Sequence, residues 1–350
     1  MLRTIVAAAS LALAACAGQP PRAAESPVSG QIPISAETLI SGETMGSAWT
    51  VKLAGALPIP AEELRAGVQS QFDTVNLALS TYRADSALSR FNDDDRGEWV
   101  GVDPELGEVL EYALSLAERS DGAYDVTVGP LVNLWGFGPE RATRQVPDAA
   151  AIDAARARVG WRGVEVDLAN SRARKRPGMR VDLSSLGKGR GVDRVANYLD
   201  SRGVANYLID LSGKLRARGR NARGQPWRVA VEHPSADVSS AAPSIEPAII
   251  ELHGESVATA GDYRRFFESG GRHYSHIIDP RTGFPVAHNT VSATVIASDC
   301  MQADALATVL MVMPPMEALA LANALRLRAL LIGQADGKYR VRRTAGWPGP

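Results

Sequence analysis

Cysteine is nearly missing from this 350-residue sequence, which has only Cys16 and Cys300. Two thiols cannot by themselves make a disulfide framework or a zinc site, so its chemistry does not rest on thiolate clusters. An excess of charge is missing too: 38 basic side chains face 39 acidic ones, for a net charge of −1. That leaves no surplus of cation to neutralise a polyanion, which excludes a general nucleic-acid binder. The basic stretch SRARKRPGMR at 171–180 reads as a solvated loop. There is no internal repeat, and no apolar run reaches the roughly 20 residues that cross a bilayer. Lysine is scarce, with five among the 38 basic residues, at 52, 175, 188, 214 and 338. What the chain does have is apolar content, 45% of its residues, enough to bury the core of one large domain or two ordinary ones. Disorder is thereby excluded for most of its length.

Arg3 precedes a short apolar run from Ile5 to Ala15, which reads as the core of a signal peptide that is removed. Leu13, Ala14 and Ala15 lead into Cys16 in the manner of a bacterial lipobox. Residues 1–15 are therefore expected to be cleaved and Cys16 to carry acyl chains. Such a chain is anchored to a membrane surface without crossing it, here facing the periplasm from the inner or outer membrane. Residues 16–40, rich in Pro, Ala, Ser and Gln without periodicity, are expected to form a flexible tether, and residues 41–345 the folded domain.

Apolar positions at helical spacing, Leu64, Val68, Phe72, Val75 and Leu79, then Leu106, Val109, Leu110, Ala113 and Leu116 up to Asp121-Gly122, predict two amphipathic helices that open the domain. Val192, Val195, Ala196 and Leu199 predict a third, stopped by Gly203 and followed by a strand in VANYLIDL at 204–211. TVSATVIAS at 290–298 predicts a strand that leads into a helix from about Ala303 to Met313. The Ser-, Ala- and Pro-rich stretch at 235–247 reads as a surface loop between strands ending near Glu232 and beginning near Ala248. Strands and helices without regular βα alternation make the fold class α+β.

Four segments could carry chemistry. In VDLSSLGKGRGVDR at 181–194, a β-type start is expected to give way to a turn with three glycines around Lys188 and then a helix. That arrangement would aim backbone N–H groups and an ammonium at one spot suited to phosphate, or it is a glycine-rich helix start that merely packs. It is not a P-loop, because Asp182 and Gly189 stand where that motif needs Gly and Ser or Thr. Nor is it the dinucleotide fingerprint, whose last glycine comes one residue later. In ADALAT at 303–308, Asp304 and Thr308 lie one turn apart on one helix face, a hard-oxygen pair fit for Mg²⁺. An Asp favoured by the helix dipole and a Thr bonded back to its own helix would read the same way. SHIIDPRTGFPV at 275–286 carries His276 on a strand-like run into an Asp-Pro and Thr-Gly turn, and a lone His beside Ile277 is more often structural. DGAYDVTVGPLVNLWGFG at 121–138 sets Asp125 and Thr127 among glycines and aromatics, and by itself reads as a loop packed on a core.

Taken in order, these segments resemble the FAD:protein FMN transferase family, the ApbE-like flavin transferases. The resemblance is carried by ETMGSAW at 43–49, STYRADSALSRFN at 80–92, the 121–138 segment, VDLSSLGKGRGVDR, SVATAGDYRRFF at 256–267, SHIIDPRTGFPV and ADALAT, over about residues 41 to 335. It implies an α+β domain related to T-fold modules, with FAD in a cleft between two lobes. It also implies an activity: Mg²⁺-dependent cleavage of FAD, attachment of FMN through its phosphate to a Thr or Ser of an acceptor protein, and release of AMP. By motif position, Met45 would line the flavin pocket, Tyr82 would contact the cofactor, and Ala123, Tyr124 and Asp125 would border its adenine side. Asp182 would hold the FAD, Lys188 would lie near the pyrophosphate, and His276 and Ile277 would face the cleft. The metal would be held by the backbone carbonyl of Ser185 and the side chains of Asp304 and Thr308. The base would be His276 or the metal-polarised hydroxyl itself.

The chain departs from the family pattern in two places. Thr259-Ala260-Gly261 stands where Thr-Ser-Gly is frequent, and Ser212-Gly213-Lys214 where a double glycine is followed by an acid or amide. The second change puts an extra cation near a strand end. The chain contains no match to the family's target signature, so it reads as the protein that writes the modification. An FAD pyrophosphatase yielding FMN and AMP is the alternative within enzymes. A flavin-binding lipoprotein without turnover is the alternative of another class.

Overall fold

Eight strands pair in chain order in one sheet in the computed structural model of the chain, which describes residues 36–140, 144–231, 234, 248–263 and 265–349. They are β1 (Glu37–Thr44), β2 (Ser47–Ala54), β3 (Tyr207–Leu211), β4 (Lys214–Arg218), β5 (Ser256–Gly261), β6 (Thr290–Ala297), β7 (Arg328–Ala335) and β8 (Lys338–Arg343). Every neighbouring pair is antiparallel. Three of the connections are two-residue turns: Met45-Gly46 with φ of 49° and 67°, Ser212-Gly213 with φ of 53° and 81°, and Asp336-Gly337 with φ of 53° and 70°. Positive φ at both positions is what a hairpin that keeps the right-handed sheet twist requires. The first two of these turns lie beside each other at one end of the sheet, because Trp49 of β2 stands opposite Leu211 of β3.

The long connection between β2 and β3 contains α1 (Ala61–Leu79), α2 (Ala87–Asp93), α3 (Pro104–Arg119), α4 (Gly129–Leu134), α5 (Ala149–Arg156) and α6 (Ser184–Ser201), and α7 (Cys300–Val312) and α8 (Pro315–Ala324) join β6 to β7. Alternation along the strands sorts the core into two faces. Trp49, Val51 and Leu53 of β2 with Ile209 and Leu211 of β3 pack against Val68 and Phe72 of α1 and Val192, Val195 and Leu199 of α6. Ala293, Val295, Ala329 and Leu331 join the cluster around α7. Ile296, Leu330 and Ile332, of the opposite parity, turn to the other face, where Trp227, Val229, Ile250, Leu252 and Trp347 cover them. Helix α7 is buried on nearly every side, as expected of a helix that is apolar all round.

The contact between α6 and α7 has no room for side chains at its centre. A Cβ on Gly189 would lie 2.5 Å from the Cys300 carbonyl oxygen and 2.7 Å from Met301 Cα. Four residues along α6, the Asp193 carboxylate accepts from the backbone N–H of Cys300 and of Met301, each at 2.9 Å, and pairs with Arg216. Asp299 accepts from Gln302 N–H at 2.9 Å. Two acids thus satisfy three of the N–H groups that the first turn of α7 leaves without intrahelical partners.

Several expectations are corrected here. The α+β class holds, but a strand hairpin opens the domain ahead of the two amphipathic helices, and β1 begins at Glu37, four residues inside the stretch read as a tether. Gly187, Gly189 and Gly191 do not form a turn: all three lie within α6, and at Gly189 and Gly191 tertiary close approach to Cys300 and Phe72 outweighs the weak helix propensity of glycine. Helix α7 starts at Cys300, earlier than Ala303, since Asp299 caps it. The signal peptide, Cys16, the tether up to residue 35 and the 235–247 loop lie outside the described residues.

Gly189→Ala is expected to destabilise the protein by more than the roughly 1–3 kcal/mol of ordinary overpacking, because backbone atoms cannot swing aside as side chains can. Chemical denaturation of the two proteins checks this, and an unchanged midpoint would contradict the contact.

Candidate active site

The end of the sheet that carries the Met45-Gly46 and Ser212-Gly213 turns opens into a cavity of about 910 Å³, at the upper end of the size usual for small-molecule sites. Its lining draws on the turns themselves, on β5, on one face each of α6 and α7, and on loops around residues 80, 124, 137 and 276. All twelve positions singled out from the sequence, Met45, Tyr82, Ala123, Tyr124, Asp125, Asp182, Ser185, Lys188, His276, Ile277, Asp304 and Thr308, border this one space. Segments some 260 residues apart meet there because the sheet lays its strands side by side in chain order.

The helix face of α6 supplies two groups. Lys188 Nζ donates to Ser47 Oγ at 3.0 Å, just past the β1–β2 turn. The Ser185 hydroxyl is 2.8 Å from the Tyr124 hydroxyl. Burial pushes the Tyr124 phenol far up, so it stays protonated. Ahead of the helix, Asn92 clamps Val181 through both of its amide atoms, at 2.7 and 2.8 Å, and Asp182 N–H donates to Val126 O at 2.7 Å. The Asp182 carboxylate itself caps Ser184 N–H at 2.8 Å.

Asp304 is buried at 3% exposure on α7. Its Oδ2 accepts from Gly189 N–H at 3.3 Å, and its Oδ1 is 2.8 Å from Lys214 Nζ. Burial pushes its carboxyl above the usual range, with the Lys214 ammonium acting against that shift. The Thr308 hydroxyl, one turn on, bonds back to the Asp304 carbonyl at 3.1 Å, as Thr often does inside a helix. Among the described residues no three His, Cys, Asp or Glu side chains gather as a metal cage. One carboxylate, one hydroxyl and nearby backbone oxygens instead make the partial, hard-oxygen set that suits Mg²⁺, which is usually completed by water and phosphate.

Asp125 has a role that motif position does not bring out. Its two oxygens accept from Thr127 N–H at 2.8 Å, Thr127 Oγ1 at 2.6 Å and Trp161 N–H at 2.8 Å. Its carboxylate is thus spent on shaping the loop that holds Ala123 and Tyr124 against the cavity. Tyr82 is 61% exposed at the mouth, its hydroxyl 3.4 Å from Phe137 O. Among the described residues His276 is the only imidazole in the lining. Both its backbone N–H and its Nδ1 face Arg265 O, at 3.0 and 3.1 Å. Nδ1 must donate to that carbonyl, which leaves Nε2 as the acceptor. Burial, aided by Arg265, lowers the pKa of the ring to about 4.

Three participants escaped the motif reading: Ser47 beside Lys188, Arg265 behind His276, and Lys214 on Asp304. For Lys214 the signal was available. Leu211 is an apolar position of β3, and a two-residue turn places Lys214 directly across from it, hence on the same face of the sheet, the one under the helices.

The ApbE family profile matches residues 45–331 of the chain. An FAD:protein FMN transferase of Vibrio cholerae is 42% identical over 280 residues, covering 80% of this chain and 82% of that protein. One from Salmonella typhimurium is 42% identical over 271 residues, with 77% and 76% covered. The flavin transferase ApbE from Vibrio cholerae matches the fold with a TM-score of 0.81 at 39% identity, over 89% of this chain and 98% of that one. The flavinyl transferase ApbE of Pseudomonas stutzeri, in its apo form, does so at 0.81 and 37%, over 89% and 95%.

His276 sets a pH dependence. Its folded-state pKa of about 4 lies below the ordinary 6.5, so between those values the unfolded chain takes up a proton that the folded chain refuses. The stability tied to the neutral ring is full above about pH 6.5 and is lost as pH falls toward 4. Urea unfolding of wild type and His276→Gln across pH 4 to 7 is expected to show the wild type losing more stability on acidification. Parallel curves would contradict a ring kept neutral at the cavity wall.

Proposed function

The chain belongs to the ApbE family, and on that premise we propose that it is an FAD:protein FMN transferase which links FMN through a phosphoester to a Thr or Ser of an acceptor protein and releases AMP. The observation that carries this reading is the convergence of Lys188, Ser185, Asp304 and Thr308 at one sheet end, with His276 on the same cavity. Phosphoryl transfer asks a protein mainly for position and for positive charge on the non-bridging oxygens.

In this reading the cavity holds FAD with its pyrophosphate at the α6–α7 end and its flavin toward Met45 and Tyr82. Asp304, Thr308 and the Ser185 carbonyl would hold Mg²⁺, which supplies charge neutralisation on the phosphate oxygens. Lys188, steadied by Ser47, reaches the same oxygens from α6. The acceptor hydroxyl oxygen bonds to the FMN phosphorus, the P–O bond to the AMP half breaks, and AMP departs with that oxygen. The hydroxyl proton goes to Nε2 of His276, a weak base that accepts it only as the new P–O bond forms. The acceptor belongs to the periplasmic side of a bacterial membrane, where acylated Cys16 would tether the enzyme.

Incubation with FAD, Mg²⁺ and a periplasmic domain bearing a Thr or Ser target is expected to add the mass of FMN to that domain and release one AMP per flavin attached. Asp304→Ala is expected to abolish AMP release, and Lys188→Met to lower kcat by roughly 10²–10³, as for loss of one transition-state charge partner. Full activity in Asp304→Ala would overturn the metal assignment. AMP without a flavinylated acceptor would identify an FAD pyrophosphatase, and bound FAD without either product a flavin carrier.

A further inference from the structure

Lys214 is the first residue of β4, directly after the Ser212-Gly213 turn. The residue is buried at 9% exposure, unusual for the residue type least often found inside without a partner. The ammonium has two partners: Asp304 Oδ1 at 2.8 Å and the carbonyl oxygen of Thr259 on β5. Asp304 is therefore already neutralised, by a cation supplied from the sheet. An isolated buried carboxylate would be costly, and the pair removes that cost.

An ammonium on Asp304 Oδ1 at 2.8 Å competes with a divalent cation for the charge of this one carboxylate and for the oxygen it occupies. Two cations on one carboxylate repel each other, and in a buried setting that repulsion is only weakly screened. Lysine also has the means to leave. Its four-carbon stem is flexible, and it borders the open cavity rather than packed core. A phosphate group entering that space offers the displaced ammonium a new partner.

We propose that Lys214 is a resident counter-cation at the metal position, which must give up Asp304 before a divalent cation can bind and so sets how tightly this chain takes up the metal. The proposal rests on the reading of Asp304 as a metal ligand. It makes Lys214 a positioning residue that acts through Asp304. Its consequence is that bare metal binds weakly, while metal and a phosphate-bearing substrate favour each other's binding, since the substrate takes the ammonium that the metal displaces.

Mn²⁺ binding to the flavin-free protein, followed by electron paramagnetic resonance, tests this without any turnover. Lys214→Met is expected to bind Mn²⁺ at least about ten-fold more tightly than wild type, within the usual range for coupled sites, and Lys214→Arg, which keeps the charge, to stay as weak as wild type. Asp304→Asn is expected to remove the site in wild type and in Lys214→Met alike. Unchanged or weaker binding in Lys214→Met, with Asp304→Asn still removing the site, would overturn the role of Lys214 and leave the metal reading standing. Binding that survives Asp304→Asn in both backgrounds would overturn both. Because Lys214→Met strands a buried acid, a second measurement uses the wild-type fold: with [ε-¹³C]lysine, the five lysines give five signals, and that of Lys214 is the one missing from Lys214→Arg. Saturating Mg²⁺ is expected to shift it, and no shift on Asp304-dependent binding would defeat the proposal.

Discussion

The approach of α6 to α7 at Gly189 is the constraint on which the site depends. Lys188 and Ser185 lie on one helix, Asp304 and Thr308 on the other, and their separation follows from how closely the two backbones pass. A glycine at the crossing lets them touch, and Asp193 fixes the register by taking two N–H groups of α7 while holding Arg216 of the sheet. The Gly189 N–H that reaches Asp304 at 3.3 Å is a product of the same contact. A helix pair set wider by one methyl group would move the charged groups of the site apart, even with every one of them intact.

Much of this was legible in the chain. Helical spacing located α1, α3 and most of α6, and the β-rich run at 290–298 located β6. The residues of the site were legible as ordered motifs, and the structure brings all of them to one cavity. What local reasoning misjudged was the three glycines of α6. Read locally, glycine is a breaker; at Gly189 the gain from packing two helices at backbone distance exceeds the roughly 1 kcal/mol that a helical glycine costs. Asp125 lines the cavity as expected, and its three donors add a loop-shaping role that a carboxylate among aromatics does not reveal from sequence. The Lys214–Asp304 pair spans 90 positions, and strand parity alone could have brought it to light.

Charge within the cavity is arranged against a neutral background. The chain as a whole carries a net charge of −1, yet two of its five lysines line this cavity together with Arg83 and Arg265, facing only a few acids. Asp125 and Asp304 have most of their capacity taken up by protein donors. What remains for a ligand is positive, supplied at the sheet end by Lys188 from α6, and partly shielded from solvent, where attraction to an anion is strongest.

Strand β8 closes the sheet at its far edge with the sequence KYRVRR. An outermost strand exposes a row of unsatisfied backbone donors and acceptors that could recruit the same strand of another copy. Four cations in six residues make that pairing repulsive in the antiparallel arrangement the sheet uses throughout. The fold's defence against self-association is thus built mainly from the basic residue this chain uses in preference to lysine: at three of those four positions it is arginine.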